Sequence, residues 1–328
     1  MSDKTKPPEP QLADNGLRPK KLTDFNGQDQ IKKGLNILIS ASKQRKEAID
    51  HILFYGPPGL GKTTLANVIA SEMGVSIRIT AGPAIERSGD LAAILTSLQE
   101  GDVLFIDEIH RLNKTVEETL YPAMEDFALD IIVGKGPAAR TLRLNLPKFT
   151  IIGATTKIGA ISSPLRDRFG AVYRLQFYEQ QELQKIILRN AEILKIKIED
   201  EACELLAARS RRTPRIANRL LKRVRDFAQI DNKDKIDKEI IKKALTILEI
   251  DDFGLDHGDR QYLKSLCLKY DGGPVGIDTL AATIAEDCQS VEEVIEPFLI
   301  QLGFLKRSKQ GRVATDQAFK YLGIKKKN

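Results

Sequence analysis

The chain has 328 residues, 42% hydrophobic and 29% charged, with 51 Lys/Arg against 45 Asp/Glu and a net charge of +6; this is the composition of an ordinary soluble globular protein, long enough for two or three domains. Tryptophan is absent and aromatics make up 6%, which argues against base-stacking platforms as the main mode of nucleic-acid binding. The modest positive charge permits nucleic acid without requiring it.

Three cysteines (Cys203, Cys267, Cys288) and three histidines (His51, His110, His257) show no metal-ligand spacing, and the cysteines lie far apart. Buried thiols in a reducing cytosol are expected rather than a disulfide framework. No run approaches ~18 uninterrupted apolar residues. Residues 1–15 are polar and proline-bearing with no apolar signal core, so a disordered tail and a cytoplasmic compartment are expected.

From Leu17 to Gln28, Pro19 blocks a helix while Leu22 and Phe25 offer two apolar anchors, so this segment should lie across a surface. Ile31 to Ser42 repeats apolar residues at close to a helical period. The apolar run Ile52-Leu53-Phe54-Tyr55 then meets Gly56-Pro57-Pro58-Gly59-Leu60-Gly61-Lys62-Thr63-Thr64, followed by a helix-like run that ends at Gly74. Strand, glycine-rich loop and helix in that order predict a polyphosphate cradle. Glycines let backbone N–H groups turn inward, and the helix N-terminus favours the anion. Lys62 should reach the β- and γ-phosphates of ATP, and the Thr63 hydroxyl should sit on Mg²⁺.

Val75–Thr80 alternates as a strand does, and a short helix is expected near Asp90–Leu98. Val103-Leu104-Phe105-Ile106 reads as a strand buried on both faces, with Asp107 and Glu108 at the carboxyl end where open α/β sheets bind ligands. Asp107 can complete a Mg²⁺ shell, and Glu108 can orient and deprotonate an attacking water. Ala128–Val133, a Gly134-Lys135-Gly136 turn and Arg140–Leu146 read as an inserted hairpin; Ile131 and Ile132 near its tip suit either a docking surface or core packing. Phe149–Thr156 is another buried strand, ending in hydroxyls. Ser162-Ser163-Pro164 should cap and open a short helix that stops at Gly170.

From about Glu179 the strand signals vanish, and residues 179–250 read as three or four helices. Thr213 caps and Pro214 opens one of them, which places Arg215 in a first turn where the helix dipole disfavours a cation; a nucleotide phosphate would explain it. Arg209 to Arg225 holds eight Lys/Arg and no acid, a basic face. Residues 252–328 show three helical runs followed by a β-ribbon with a Ser308-Lys309-Gln310-Gly311 turn, the winged-helix pattern. Its charges balance overall, yet residues 305–328 carry eight Lys/Arg against Asp316 alone. That segregation onto the wing and tail suits contact with DNA phosphates.

A phosphate loop, an Asp-Glu strand end, a hydroxyl-ended strand, a distal arginine and a helical lid together resemble the AAA+ ATPases. Leu17-Arg18-Pro19 with Asp24-Phe25 and Gly27-Gln28, Gly56–Thr64, Phe105–Arg111, Tyr121–Asp126, Gly136–Arg140, Gly153–Thr156, Ser163–Gly170 and Thr213–Leu221 narrow the likeness. They are similar to the RuvB family, the bacterial ATP-driven motors of Holliday-junction branch migration in recombination and repair. The resemblance covers about residues 16–324. It implies an α/β AAA+ core with a parallel sheet over residues 16–178, carrying the hairpin at about 127–147. A helical lid over 179–250 and a winged-helix head over 252–328 would follow.

The resemblance also implies roles. Leu17, Arg18 and Tyr178 would border the adenine, and Gly59, Gly61, Lys62, Thr63 and Thr64 would hold phosphates, with Mg²⁺ on Thr63 and Asp107. Glu125, Asp126 and Phe127 are similar to a further nucleotide-bordering segment. Thr156 and Arg215 look like sensors 1 and 2, and Arg168 like an arginine finger serving a neighbouring subunit, with Arg166 its competitor. Ile131 and Ile132 would bind RuvA, while Arg307 and Arg312 would contact duplex DNA, a contact that the wing departure below would redistribute in part onto Lys309 and Lys306. A homohexamer and RuvC as a further partner are implied likewise. Three positions depart from the family pattern: Lys157 replaces an arginine, Arg212 a glycine, and Ser308-Lys309-Gln310 a Thr-Pro-Arg wing. The competing expectations are a clamp-loader or initiator ATPase, or a winged-helix regulator that holds ATP only as a ligand.

Overall fold

The computed structural model describes residues 16–133 and 140–326. The expected tail over residues 1–15 and the Gly134-Lys135-Gly136 turn lie outside the described residues. The chain divides into two compact units, Met1–Gly56 with Gly61–Gln176, and Pro57–Leu60 with Phe177–Asn328.

The first unit is built on a five-stranded parallel sheet in the order β2-β3-β6-β1-β7. Its strands are β1 (Ile52–Tyr55), β2 (Ile77–Ala81), β3 (Val103–Asp107), β6 (Thr150–Thr155) and β7 (Ala171–Arg174). Uninterrupted apolar runs form β1, β3 and β6 because both faces of these strands are covered, and β6 is buried from end to end. The alternating run forms the edge strand β2, where Ile79 stays 51% exposed. Alternation there marks an edge rather than a half-buried strand. Pairing aligns Tyr55 with Thr155 and Ile106 with Gly153, so the ends of β1, β3 and β6 come to one margin of the sheet. Leu22 and Phe25 are buried as anchors, and the Lys32 ammonium donates to the Phe25 carbonyl at 2.9 Å.

The hairpin of β4 (Ala128–Val133) and β5 (Arg140–Asn145) pairs antiparallel and stands apart from the main sheet. Its base belongs to the core: Leu129 and Leu146 are buried in one cluster with Phe149 and Leu120. The helix Lys114–Glu125 and strand β7 are absent from the expectations above. Pro122 inside that helix disguises it, but Val116, Leu120, Ala123 and Met124 form its buried stripe, and Asn113 caps it by accepting from the Val116 N–H at 2.9 Å. His51 joins three of these elements. Its Nδ1 accepts from the Ile151 N–H at 2.9 Å, which leaves Nε2–H to donate to the Met124 carbonyl at 3.1 Å. Burial pulls the pKa of this imidazole below its ordinary value and keeps it neutral.

The second unit contains four lid helices, Gln180–Ile193, Asp200–Ala208, Pro214–Ile230 and Lys238–Ile247. Strands do not vanish altogether, because β8 (Lys197–Ile198) and β9 (Lys235–Ile236) pair in parallel. In the third helix Ala217, Leu220, Leu221, Val224 and Ala228 face inward, and the arginines of the basic stretch alternate around them. Thr213 caps this helix, accepting from the Ile216 N–H at 3.4 Å. Arg211 and Arg212 before it are both left-handed, with φ of 49° and 54°. A glycine would take that conformation without strain, which is the physical content of the departure at Arg212.

The winged-helix part follows in the same unit. Helix His257–Lys264 continues through a π-turn to Lys269; helix Ile277–Ile284 and the helical stretch from Cys288 to Gln301 come next. Strands β10 (Leu305–Ser308) and β11 (Gly311–Ala314) make the wing, and an unexpected helix, Asp316–Leu322, closes the fold on a Thr315 cap. Tyr262, Leu266, Leu280, Phe298 and Phe319 form its core.

Neutral His51 stabilises the fold fully above its unfolded pKa of about 6.5, and that contribution is lost as the pH falls below it, because the unfolded chain then takes up a proton the folded ring resists. The gap in melting temperature between the wild type and His51→Gln should therefore shrink between pH 7.5 and 5.5. In urea denaturation, Arg212→Gly should raise stability by about 0.5–1 kcal/mol, since relief of left-handed strain outweighs the added chain entropy.

Candidate functional site

The loop after β1 is glycine-dependent at three points: Gly56, Gly59 and Gly61 have φ of 139°, 81° and 102°. At Gly56 a Cβ would stand 2.6 Å from the Leu175 carbonyl oxygen, a backbone atom that cannot step aside. Lys62 is buried and its ammonium donates to the Gly56 carbonyl at 2.7 Å, folding the side chain back into the loop. Helix Lys62–Met73 begins after Gly61 with no side chain capping it. The Leu65 N–H closes the first turn on the Gly61 carbonyl at 2.9 Å, and the helix dipole makes this N-terminus a favourable place for an anion. Thr63 and Thr64 are half-buried in the first turn. Within the second unit, Gly59 meets the lid: the Arg215 N–H lies 3.4 Å from the Gly59 carbonyl, and a Cβ on Gly59 would sit 3.1 Å from the Arg215 Cβ. Tyr178, fully buried, donates its hydroxyl to the Leu60 carbonyl at 3.0 Å, and its N–H to the Arg212 carbonyl at 3.0 Å.

Asp107 ends β3, and the next residue turns sharply, with Glu108 left-handed at φ 47°. The Glu108 N–H donates to Asp107 Oδ1 at 2.9 Å, so one oxygen of that carboxylate is positioned by the backbone. Glu108 Oε2 accepts from Arg111 Nη1 at 2.9 Å, with both side chains over a third exposed. Such a pair contributes about 0–1 kcal/mol and releases Glu108 readily. Thr155 is buried, its hydroxyl 3.0 Å from His110 Nδ1 and accepting from the Lys157 N–H at 2.9 Å. Thr156, the expected sensor, is half-buried one residue beyond. His110 thus ties the Asp-Glu turn to the end of β6, a link that the sequence reading does not assign. Its place in the Phe105–Arg111 motif is the only signal that could have pointed to it.

Arg168 is docked within its own unit. Nη2 lies 3.1 Å from Glu125 Oε1, Nη1 donates to the Pro164 carbonyl at 2.7 Å, and the guanidinium stacks 4.2 Å over the Tyr121 ring. Its buried Nε has no hydrogen-bond acceptor. Arg166 is exposed on the same short helix. Asp126 pairs with Arg143 at 2.6 Å, and Phe127 packs edge-on against Phe149. Leu17 is buried and Arg18 half-buried in the first unit. Ile131 and Ile132 lie in β4 opposite Leu142 and Thr141. Among the described residues no group of three His, Cys, Asp or Glu gathers as a metal site, and no helix is long and apolar enough to cross a membrane.

The wing pairs Arg307 with Arg312 across its two strands. Both close on Glu296, a carboxylate with no exposed surface: Arg307 Nη2 reaches it at 2.6 Å and Arg312 Nε at 2.8 Å. The Tyr262 hydroxyl donates to the same carboxylate at 3.0 Å. Arg312 is mostly covered while Arg307 and the turn residue Lys309 remain exposed.

Three family models match consecutive stretches of the chain: the Holliday junction DNA helicase RuvB P-loop domain over residues 17–175, the RuvB AAA lid domain over 178–251 and the RuvB C-terminal winged helix domain over 252–323. The Holliday junction branch migration complex subunit RuvB of Chloroflexus aggregans is 57% identical over 314 residues, which are 96% of this chain and 90% of that protein. The Thermotoga maritima RuvB Holliday junction branch migration motor superposes with a TM-score of 0.87 at 50% identity, covering 94% of this chain and 99% of that one. A single-residue variant of the same protein superposes at 0.88 with the same coverage. A parallel-sheet P-loop core, a helical lid and a winged helix in this order are the architecture of those motors, and the chain is a P-loop ATPase that belongs to the RuvB family.

Proposed function

We propose that the chain is the ATP-driven subunit of a hexameric ring that moves duplex arms of a Holliday junction, working with RuvA and alongside RuvC in the cytoplasm. The observation that carries this reading is the shared sheet margin, where a glycine cradle, the Asp107-Glu108 turn and the Thr155-Thr156 end meet in a chain that also bears a cationic wing. A module that only held ATP would have no use for a carboxylate poised as a base.

ATP fits the residues present: a helix N-terminus at the end of the loop, a buried lysine folded over it, and glycines at three positive-φ positions that a side chain would strain. Lys62 would neutralise the β- and γ-phosphates, and Arg215 would approach from the lid, since its backbone already touches Gly59. Thr63 and Asp107 would hold Mg²⁺, which supplies charge neutralisation on the phosphate oxygens when bound. Glu108, released from Arg111, would take the proton of the water whose oxygen attacks the γ-phosphorus, giving ADP and inorganic phosphate. Thr156 would orient that water. Leu17, Arg18, Glu125, Asp126, Phe127 and Tyr178 are assigned to the nucleotide border by resemblance alone.

Arg168 would serve a neighbouring copy of the chain. Leaving Glu125 and the Tyr121 ring costs on the order of 1–2 kcal/mol, for a half-exposed ion pair plus one cation–π contact. An arginine finger contributes roughly 10³–10⁵ in rate, several times that cost in free energy. The β4–β5 hairpin carrying Ile131 and Ile132 would dock RuvA, and Arg307, Arg312 and Lys309 would meet DNA phosphates.

Lys62→Ala and Arg168→Ala should each lower ATP turnover by roughly 10³-fold or more while leaving the circular dichroism spectrum intact. Mixing the two inactive variants should restore part of the turnover, because some shared sites then combine an intact Lys62 with an intact Arg168. Turnover retained by Arg168→Ala alone would reject a finger acting between subunits.

A further inference from the structure

Arg211 stands four residues before Arg215, in the loop that enters the same helix, and its side chain leaves the lid altogether. The loop itself is fixed: the buried Ser210 hydroxyl donates to the Leu206 carbonyl at 2.6 Å, and the Thr213 N–H to the Ser210 carbonyl at 3.0 Å. The left-handed turn at Arg211 directs its guanidinium into the winged-helix part. There Nη1 lies 2.9 Å from Asp259 Oδ2, and Nη2 donates to Asp259 Oδ1 at 3.1 Å and to the Val294 carbonyl at 3.0 Å. Asp256 is in reach at 3.3 Å, and the Phe298 ring lies 4.9 Å away beneath the guanidinium. Arg211 is 8% exposed and Asp259 is fully buried, so water does not screen this pair.

The partners of Arg211 matter because of what lies between them in sequence. Val294 and Phe298 flank Glu296, the buried carboxylate that holds both wing arginines. One guanidinium therefore grips the helical stretch that sets the positions of Arg307 and Arg312. Its backbone belongs to the loop that sets Arg215 against Gly59. Asp256 and Asp259 also form a reciprocal capping box at the N-terminus of helix His257–Lys264, each carboxylate accepting from the other's N–H at 3.1 Å, so the grip includes the first helix of the winged fold.

Resting on the motor reading above, we infer that Arg211, locked to Asp259, is the positioning residue that couples the nucleotide-contacting loop of the lid to the DNA-contacting wing. It touches neither ATP nor DNA. Its function is to make the wing arginines follow the loop rather than lag behind it. Truncating it frees the two ends to move independently while each keeps its own ligand. Other ties at this junction are more exposed, such as Arg209 to Asp252, whose carboxylate is almost wholly in solvent, and a surface pair transmits little.

The test uses full-length protein and three readouts: basal ATP turnover, its stimulation by duplex DNA, and ATP hydrolysed per unit of branch migration on a synthetic four-way junction. Arg211→Gln removes the charge. Asp259→Asn is the milder change: it keeps the size of the side chain and one acceptor oxygen and removes only the charge that faces Arg211. Both variants should keep basal turnover and duplex affinity within about threefold, yet lose at least 10-fold in DNA stimulation and in migration per ATP. Arg211→Lys should recover part of that loss. Native stimulation and migration per ATP in Asp259→Asn would overturn the inference and leave the motor standing. A fall in basal turnover and duplex affinity as large as the fall in stimulation would also overturn it, by showing a merely structural role. A wild-type chain without DNA-stimulated turnover would defeat the motor reading itself, and the inference with it.

Discussion

Gly56 leaves β1 at φ 139° with the Leu175 carbonyl where its side chain would be, and its own carbonyl holds the Lys62 ammonium at 2.7 Å. This is a steric constraint before it is a chemical one. Any Cβ would push the strand away from Leu175 or rotate the loop, and in either case the lysine would lose its acceptor. The order of the loop and the start of helix Lys62–Met73 both follow from that single close approach. Because β1 sits between β6 and β7, the same point also sets the loop's level against Thr155 and the Asp107-Glu108 turn.

Around this cradle the charged groups are held by partners of unequal strength. Glu108 and Arg168 rest on partly exposed counter-ions, Arg111 and Glu125, in contacts that solvent weakens. Arg211, Arg307 and Arg312 rest on carboxylates with no exposed surface, Asp259 and Glu296. Removing one partner of a buried pair strands the other, at a cost of about 3–5 kcal/mol, whereas a surface pair opens for about 1 kcal/mol or less. The groups proposed to move in a catalytic cycle are thus the weakly held ones, and those proposed to couple the lid to the wing are the strongly held ones. The wing arginines illustrate the second case. Their bond to Glu296 limits their rotamers, so a phosphate would meet a guanidinium pair already in place, with less entropy left to lose on binding.

Much of the fold was legible in the sequence, for reasons that can be given residue by residue. Buried parallel strands need unbroken apolar runs, so Ile52–Tyr55 and Val103–Ile106 announced themselves. Thr213-Pro214 and Ser162-Ser163-Pro164 encode helix starts through local hydrogen bonding alone, and both Thr213 and Ser162 cap as expected. Helix Lys114–Glu125 was hidden by Pro122. Strand β7 was hidden because its alternation is that of an edge, with Val172 43% exposed. The parallel pairing of Lys197–Ile198 with Lys235–Ile236 was out of reach, since two residues carry no period.

The sequence by itself determined the chemistry at the sheet margin, because a cradle, a base and a hydroxyl end each depend on a few neighbouring residues and on glycine sterics. It also determined that the wing is cationic. Only the tertiary structure decided what each cation faces. Arg168 lies on Glu125 and Tyr121, Arg211 on Asp259, and Arg307 with Arg312 on Glu296, contacts between residues up to 48 positions apart. A one-dimensional pattern records that a charge exists and how densely charges occur. Whether that charge is spent on a buried counter-ion or left for a ligand depends on packing in three dimensions, which here sets Arg211, Arg307 and Arg312 on buried carboxylates and Arg168 on a half-exposed one.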